Sequence, residues 1–140
     1  MAKLDYTWTP KKSVGQIKFG SPVDSYVQDG LISRAEDVSD LGQYWSDADD
    51  TVLVEVDDNG NVESVLLSDK CIYEGKNLIG MTLDEVSAAL NTTPDGVAEP
   101  SALDDGELET PAYFEAFGLT LGIRDDVVWT VDVDDGNYDD

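Results

Sequence analysis

Thr51-Val-Leu-Val-Glu-Val56, then Asp57-Asp58-Asn59-Gly60-Asn61, then Val62-Glu-Ser-Val-Leu-Leu67 is the stretch on which the reading of this chain turns. Two runs rich in Val and Leu flank a short polar segment, the pattern of two β-strands joined by a tight turn. Asn59-Gly60 is the strongest turn signal in the sequence, because both central residues of a type I′ turn need positive φ. Counting back from that turn pairs Val56 with Glu63, Val54 with Val65 and Val52 with Leu67. A third strand over Ser68–Glu74, carrying Cys71 and Tyr73, would extend the hairpin into a meander.

A second pair of the same kind lies near the end of the chain: Gly118-Leu-Thr-Leu-Gly-Ile123, a turn at Arg124-Asp125-Asp126, then Val127-Val-Trp-Thr-Val-Asp-Val133. Upstream of each pair stand two stretches that match at an offset of 60. Gly15 and Gly20 correspond to Gly75 and Gly80, an apolar residue precedes the second glycine in both, and Asp24 corresponds to Asp84. In the second stretch Thr82 is placed as a helix N-cap with Glu85 three residues on, a capping box. Leu83, Val86 and Leu90 then form one apolar stripe. In the first, Ser21 would cap a helix with Pro22 in its opening turn. Another short helix is expected near Ser33–Leu41, and residues 28–50 and 91–112 read as long loops. The expected fold is α+β: an antiparallel sheet of hairpins or a meander, with two or three short helices on one face and an internal duplication. It forms one domain over 1–140, with units of about 15–74 and 75–134 and flexible extensions at 1–12 and 135–140.

Charge narrows the partners. The chain has 31 acidic residues, 8 basic ones and no histidine, a net charge of −23. Residues 1–20 carry Lys3, Lys11, Lys12 and Lys18 against Asp5 alone, so nearly all the acid follows them. Such a surface disfavours nucleic acid, anionic membranes and phosphate-rich ligands, and favours a basic protein or a very salty solvent. Apolar content of 41 % still supports a core. No apolar run approaches a bilayer-spanning length, and MAKLDYTWTPKK lacks the apolar stretch of a signal peptide, so the expected compartment is the cytoplasm. The lone Cys71 forms no internal disulfide and reads as a small core residue.

Reactive chemistry finds little support. Without histidine there is no Ser-His-Asp triad, and zinc ligands of the usual kind are missing. Setting Gly60 at the sixth position of a calcium loop leaves Leu66 where the bidentate Glu belongs. The expectation is therefore a non-enzyme with no catalytic residue, metal or cofactor. Binding is better served. Tyr44-Trp45 followed by Asp47, Asp49 and Asp50 sets aromatics among acids, the composition of an anchor for a basic partner, although Trp45 can equally plug the core. Asp104, Asp105, Glu107 and Glu109 are a second acidic candidate.

Leu78-Ile79-Gly80-Met81-Thr82-Leu83-Asp84-Glu85-Val86 resembles the I-x-x-G-M-T-x-x-E-V helix start of the outer-membrane assembly lipoproteins of the BamE/SmpA family. The lipoprotein signal and cysteine of that family are absent, so its function does not carry over. Size, charge, lone cysteine and unit layout are also similar to those of immunity proteins from bacterial polymorphic-toxin and contact-dependent inhibition systems. That resemblance implies a cytoplasmic antitoxin that neutralises a cognate basic toxin, often a nuclease, by blocking its active site; the charge makes nucleic acid and membrane unexpected partners. The alternatives are a halophile-adapted domain and a nucleic-acid mimic. The mimic calls for acids in regular rows on one face, whereas the sequence sets them largely in connections.

Overall fold

Short Val- and Leu-rich runs punctuated by Gly, Asn and Asp fold here into many short strands. The computed structural model describes residues 4–34, 44–47, 51–102 and 106–135. In chain order these hold β1 (Trp8–Thr9), β2 (Ser13–Val14), β3 (Ile17–Lys18), α1 (Asp24–Gln28), β4 (Ser33–Arg34), β5 (Tyr44–Ser46), β6 (Val52–Val56) and β7 (Val62–Leu67). There follow β8 (Ile72–Tyr73), β9 (Lys76–Asn77), α2 (Leu83–Leu90), β10 (Gly96–Val97), β11 (Ser101–Ala102) and β12 (Leu108–Phe114). A 3-10 turn at Glu115–Phe117 leads into β13 (Leu119–Arg124) and β14 (Val127–Asp134). The fold is mixed but dominated by antiparallel sheet.

One large sheet runs β10-β12-β13-β14-β7-β6-β5-β4, with β11 also paired to β12. The order is palindromic: the hairpin β6–β7 and the hairpin β13–β14 meet at the centre, where β7 and β14 pair antiparallel through Val65↔Val133 and Leu67↔Val131. Pleating sends alternate residues to opposite faces. One face carries Trp45, Val52, Val54, Val65, Leu67, Val131, Val133, Leu119, Leu121, Ala112 and Phe114, all buried. Tyr26 of α1, Val86 and Leu90 of α2, and Trp8, Val14, Ile17, Cys71 and Leu78 from the two small sheets and their flanks belong to the same buried cluster. The small sheets, β1-β2-β3 and β8-β9, touch through a parallel bridge between Thr7 and Ile72 and through the Trp8 and Tyr73 rings, 5.4 Å apart.

The two halves repeat their construction bond for bond at one junction. Gly20 N–H donates to the Val62 carbonyl and Val62 N–H to the Ser21 carbonyl, each at 2.8 Å. Gly80 N–H donates to the Val128 carbonyl and Val128 N–H to the Met81 carbonyl, again at 2.8 Å. Each hairpin shifts register once, between Glu55 and Val56 in the first and between Gly122 and Ile123 in the second. Burial then follows the same rhythm, with Val62, Val65 and Leu67 buried in β7 and Val128, Val131 and Val133 in β14.

Several expectations change on contact with this structure. Val54↔Val65 and Val52↔Leu67 pair as expected, but Val56 faces Val62 rather than Glu63. The reason lies in the turn. Asp57 Oδ1 accepts from the N–H groups of Asn59 and Asn61, and Asp57 N–H donates to the Asn61 carbonyl. Only Gly60 takes positive φ, at 80°, so the connection is a three-residue turn with a bulge rather than a two-residue type I′ turn. Ser68–Glu74 adds no third strand to the hairpin: Ile72–Tyr73 pairs with β9, and β7 takes β14 instead. Ser33–Arg34 is a strand rather than a helix start, and residues 35–43 lie outside the described residues. The capping box at Thr82 and Glu85 forms as expected. Ser21, in contrast, caps nothing; α1 starts after Val23, and Ser21 Oγ bonds the Lys18 carbonyl and the Tyr26 hydroxyl. The 4–12 segment is fastened, with Leu4 and Trp8 buried.

Candidate binding face

Among the described residues, the second face of the large sheet is the more exposed of its two faces. Cross-strand partners place Ser46, Leu53, Leu66, Asp132, Thr120, Tyr113 and Gly96 in one row running from β5 to β10. A parallel row holds Tyr44, Glu55, Ser64 and Asp134. Ser46 is buried at one end, the middle of the face is half-buried, and Tyr113 and Trp129 are exposed at 38 % and 49 %. Leu53 and Leu66 supply an apolar floor between the carboxylates of Glu55 and Asp132.

Those carboxylates are crowded. Partial burial on the sheet, then the charges of Asp134 and Glu55, push Asp132 up to about 6 although its side chain still reaches solvent. Glu63, beside the Asp57-Asp58 turn, is also raised, first by loss of solvent and then by Glu55, Asp57, Asp135 and Asp58. A carboxylate held above its ordinary pKa by like charges is stabilised by any cation brought to it. The described lysines stand elsewhere: Lys11, Lys12 and Lys18 in β1–β3 and its turn, Lys70 and Lys76 at β8–β9. On the strands of the large sheet the described basic residues are Arg34 and Arg124.

Arg124 belongs to a separate corner of this face. Its guanidinium lies over the Trp129 ring, 5.1 Å from the centroid, and its Nε is 3.7 Å from Glu109 Oε1. The Thr130 hydroxyl donates to the same Glu109 oxygen at 3.5 Å. Gly122 makes room for this: a Cβ there would run into Thr130 Oγ1 and the Glu109 carboxylate.

The sequence candidates fall in different places. Trp45 is 9 % exposed and turned into the core beside Val54, while Tyr44, one residue earlier, is on the open face. Asp47 is buried and occupied: it accepts from the Tyr6 hydroxyl at 2.6 Å, the Thr51 N–H and hydroxyl at 2.7 Å each, and the Val52 N–H at 3.1 Å. Burial pushes its pKa up, but these hydrogen bonds outweigh that and hold it below the ordinary value. Its role is to close the β5–β6 connection. Asp49, Asp50, Asp104 and Asp105 lie outside the described residues. Glu107 is exposed, and Glu109 is committed to the Trp129 corner. Glu55, Asp132, Asp134 and Trp129 were not singled out by sequence reading. The signal for them was strand alternation, since Glu55 is the polar member of Val52–Val56, but the bulge at Trp129 breaks that alternation in β14.

Cys71 is fully buried, and its thiol is pushed up to about 12 by that burial. Among the described residues no group of His, Cys, Asp and Glu is arranged to hold a metal ion, and no helix is long and apolar enough to cross a membrane. Comparison with known proteins finds no matching family model, no matching curated protein and no matching solved structure.

Proposed function

We propose that this chain is an acidic binding protein of the immunity type, which neutralises a cognate basic toxin by covering its active site with the open face of the large sheet. The observation that carries this reading is the segregation of charge. Glu55, Glu63, Asp132 and Asp134 gather on and beside one face, whereas the described lysines sit on the small sheets that share the opposite core. An acidic face clear of the described lysines attracts a basic surface, and the association weakens with salt. Two copies of one ancestral unit, with helices and small sheets on the covered side, account for the scaffold; the matched Gly20–Val62 and Gly80–Val128 junctions support that origin.

The test is direct. The protein encoded beside this chain, produced in an inactivated form, should give a stoichiometric complex whose dissociation constant rises steadily with NaCl. Absence of a complex at every ionic strength removes the reading. The salt-adapted alternative draws on the acids exposed in turns throughout both halves, such as Asp24, Asp29, Asp69, Asp84, Asp125 and Asp126. It requires a chain that is unfolded by circular dichroism in dilute buffer and folds only in molar KCl.

A further inference from the structure

We propose that Trp129 is the apolar anchor of the docking face, and that the surface it receives is a cationic one carrying an apolar side chain between its basic residues. This rests on the reading of the open face as a site for a basic protein, and adds what that protein must present besides charge.

Trp129 combines two properties that rarely coincide: a large ring left 49 % exposed and a ring held in place. It sits at the register shift of the second hairpin, and a bulge re-aims a side chain away from the regular pleat. Arg124 then stacks against it at 5.1 Å, and Glu109 holds Arg124 from 3.7 Å while also accepting from Thr130. The absent side chain at Gly122 is what lets Glu109 lie across β13 to do this. A ring fixed in advance loses little side-chain freedom when a partner covers it, so its buried area converts into affinity with small entropic loss. Tyr113, 38 % exposed, stands in the cross-strand row that runs through Thr120 to Asp132. Charge complementarity with Glu55, Asp132 and Asp134 fixes the sign of the partner. The net charge of −23 disfavours a second copy of this chain as occupant.

The experiment titrates the isotope-labelled full chain with short peptides of alternating Arg and Leu, alternating Arg and Ser, and alternating Glu and Leu, followed by amide and indole NMR shifts at low salt. The Arg/Leu peptide is expected to shift the Trp129 indole together with the Tyr113, Thr130 and Asp132 amides, and to bind about tenfold tighter than Arg/Ser. Trp129→Ala should abolish that preference, so that Arg/Leu binds no tighter than Arg/Ser, with an unchanged circular dichroism spectrum showing that the exposed site was altered without loss of fold. Retention of the preference in Trp129→Ala overturns the anchor and leaves the basic-partner reading standing. Failure of both cationic peptides to perturb the open face, or equal perturbation by Glu/Leu, overturns both.

Discussion

The two long hairpins of the molecule bury their core faces alike and differ in what they display on the other face. Val52, Val54 and Val56 face Leu67, Val65 and Val62 in the first hairpin, as Leu119, Leu121 and Ile123 face Val133, Val131 and Val128 in the second. On the open face the corresponding register positions diverge. Glu55 and Glu63 of the first half are replaced by Gly122 and Trp129 of the second, and Leu66 stands directly across from Asp132. The core face accepts any branched apolar residue of about the right volume, so identity there says little about function. The open face has no such packing constraint, and its two halves are free to become a carboxylate pole and an aromatic pole.

The largest contrast is expected at the first glycine of each half. Gly15 has φ of +54° and a Cβ there would strike the Asp5 carbonyl, whereas Gly75, at φ +83°, has open space around it. Gly15→Ala combines a left-handed backbone with overpacking against rigid main chain and should cost about 4 kcal/mol. Gly75→Ala bears only the backbone penalty, about 1 kcal/mol. Urea unfolding of both variants measures the gap. Equal losses would mean that the 4–12 segment yields freely, and that the halves are not distinguished by it.

Next comes the carboxylate that only the first half buries. Asp47→Ala removes the acceptor for the Thr51 and Val52 N–H groups and for two hydroxyls, leaving buried donors unsatisfied, at a cost of about 3 kcal/mol. The sign of its pH dependence follows from its lowered pKa: the stabilisation is present at neutral pH and disappears as pH falls through the folded-state pKa, below the ordinary 3.8. Thermal midpoints of wild type and variant should therefore converge in strong acid. Where β5 ends in this polar clasp, β12 runs on through buried Phe114, and the acid at its end, Asp95, takes the Glu115 N–H from an exposed position.

Asp132 behaves oppositely. Its pKa is raised from 3.8 to about 6, so the folded state holds the proton more tightly than the unfolded one between those values. Stability is greatest when Asp132 is protonated and falls as pH rises through that window; above it the ionised group is a full burden. Asp132→Asn should thus stabilise the chain above pH 6 and do nothing below about pH 4. A shift of this size corresponds to about 3 kcal/mol, roughly halved because the side chain reaches solvent, giving about 1.5 kcal/mol. The same variant should weaken binding to a cationic partner. A variant with unchanged stability at neutral pH would show that neither the burial of Asp132 nor the charges of Asp134 and Glu55 weigh on it, and the face would lose its claim to be poised for a cation.

Local chemistry was legible in the sequence and long-range pairing was not. Thr82 with Glu85 announced the start of α2 because a capping box is written in four consecutive residues. Asn59-Gly60 announced a hairpin, yet the turn type depended on Asp57, whose side chain captures two N–H groups that a type I′ turn does not offer it. The continuation after Leu67 was misread because β7 finds its partner in Val131–Asp134, more than sixty residues on, and no local pattern reports that. The same limit hid the site. Trp45 among acids looks like an anchor in one dimension, but pairing with Val54 turns it inward. Trp129 looks like an ordinary strand residue until the bulge turns it out. The 60-residue offset between glycines was visible, and it pointed to junctions that are geometrically alike.

The smallest effect concerns the helices. Glu85 N–H donates to Thr82 Oγ1 at 3.2 Å and Thr82 N–H to Glu85 Oε1 at 3.0 Å, whereas Val23, the residue before α1, offers no side-chain cap. Thr82→Ala should cost about 1 kcal/mol, and Thr82→Asp, which restores the acceptor at the positive end of the helix dipole, should recover most of it. In the first half, Ser21 spends its hydroxyl on Lys18 and Tyr26, so Ser21→Ala should loosen the Tyr26 hydroxyl without shortening α1. Hydrogen exchange separates the two outcomes: faster exchange in the first turn of α2 for Thr82→Ala, and unchanged exchange in α1 for Ser21→Ala. If Ser21→Ala instead unravelled α1, Ser21 would be the counterpart of Thr82 after all, and the halves would be more alike at their helices than at their open faces.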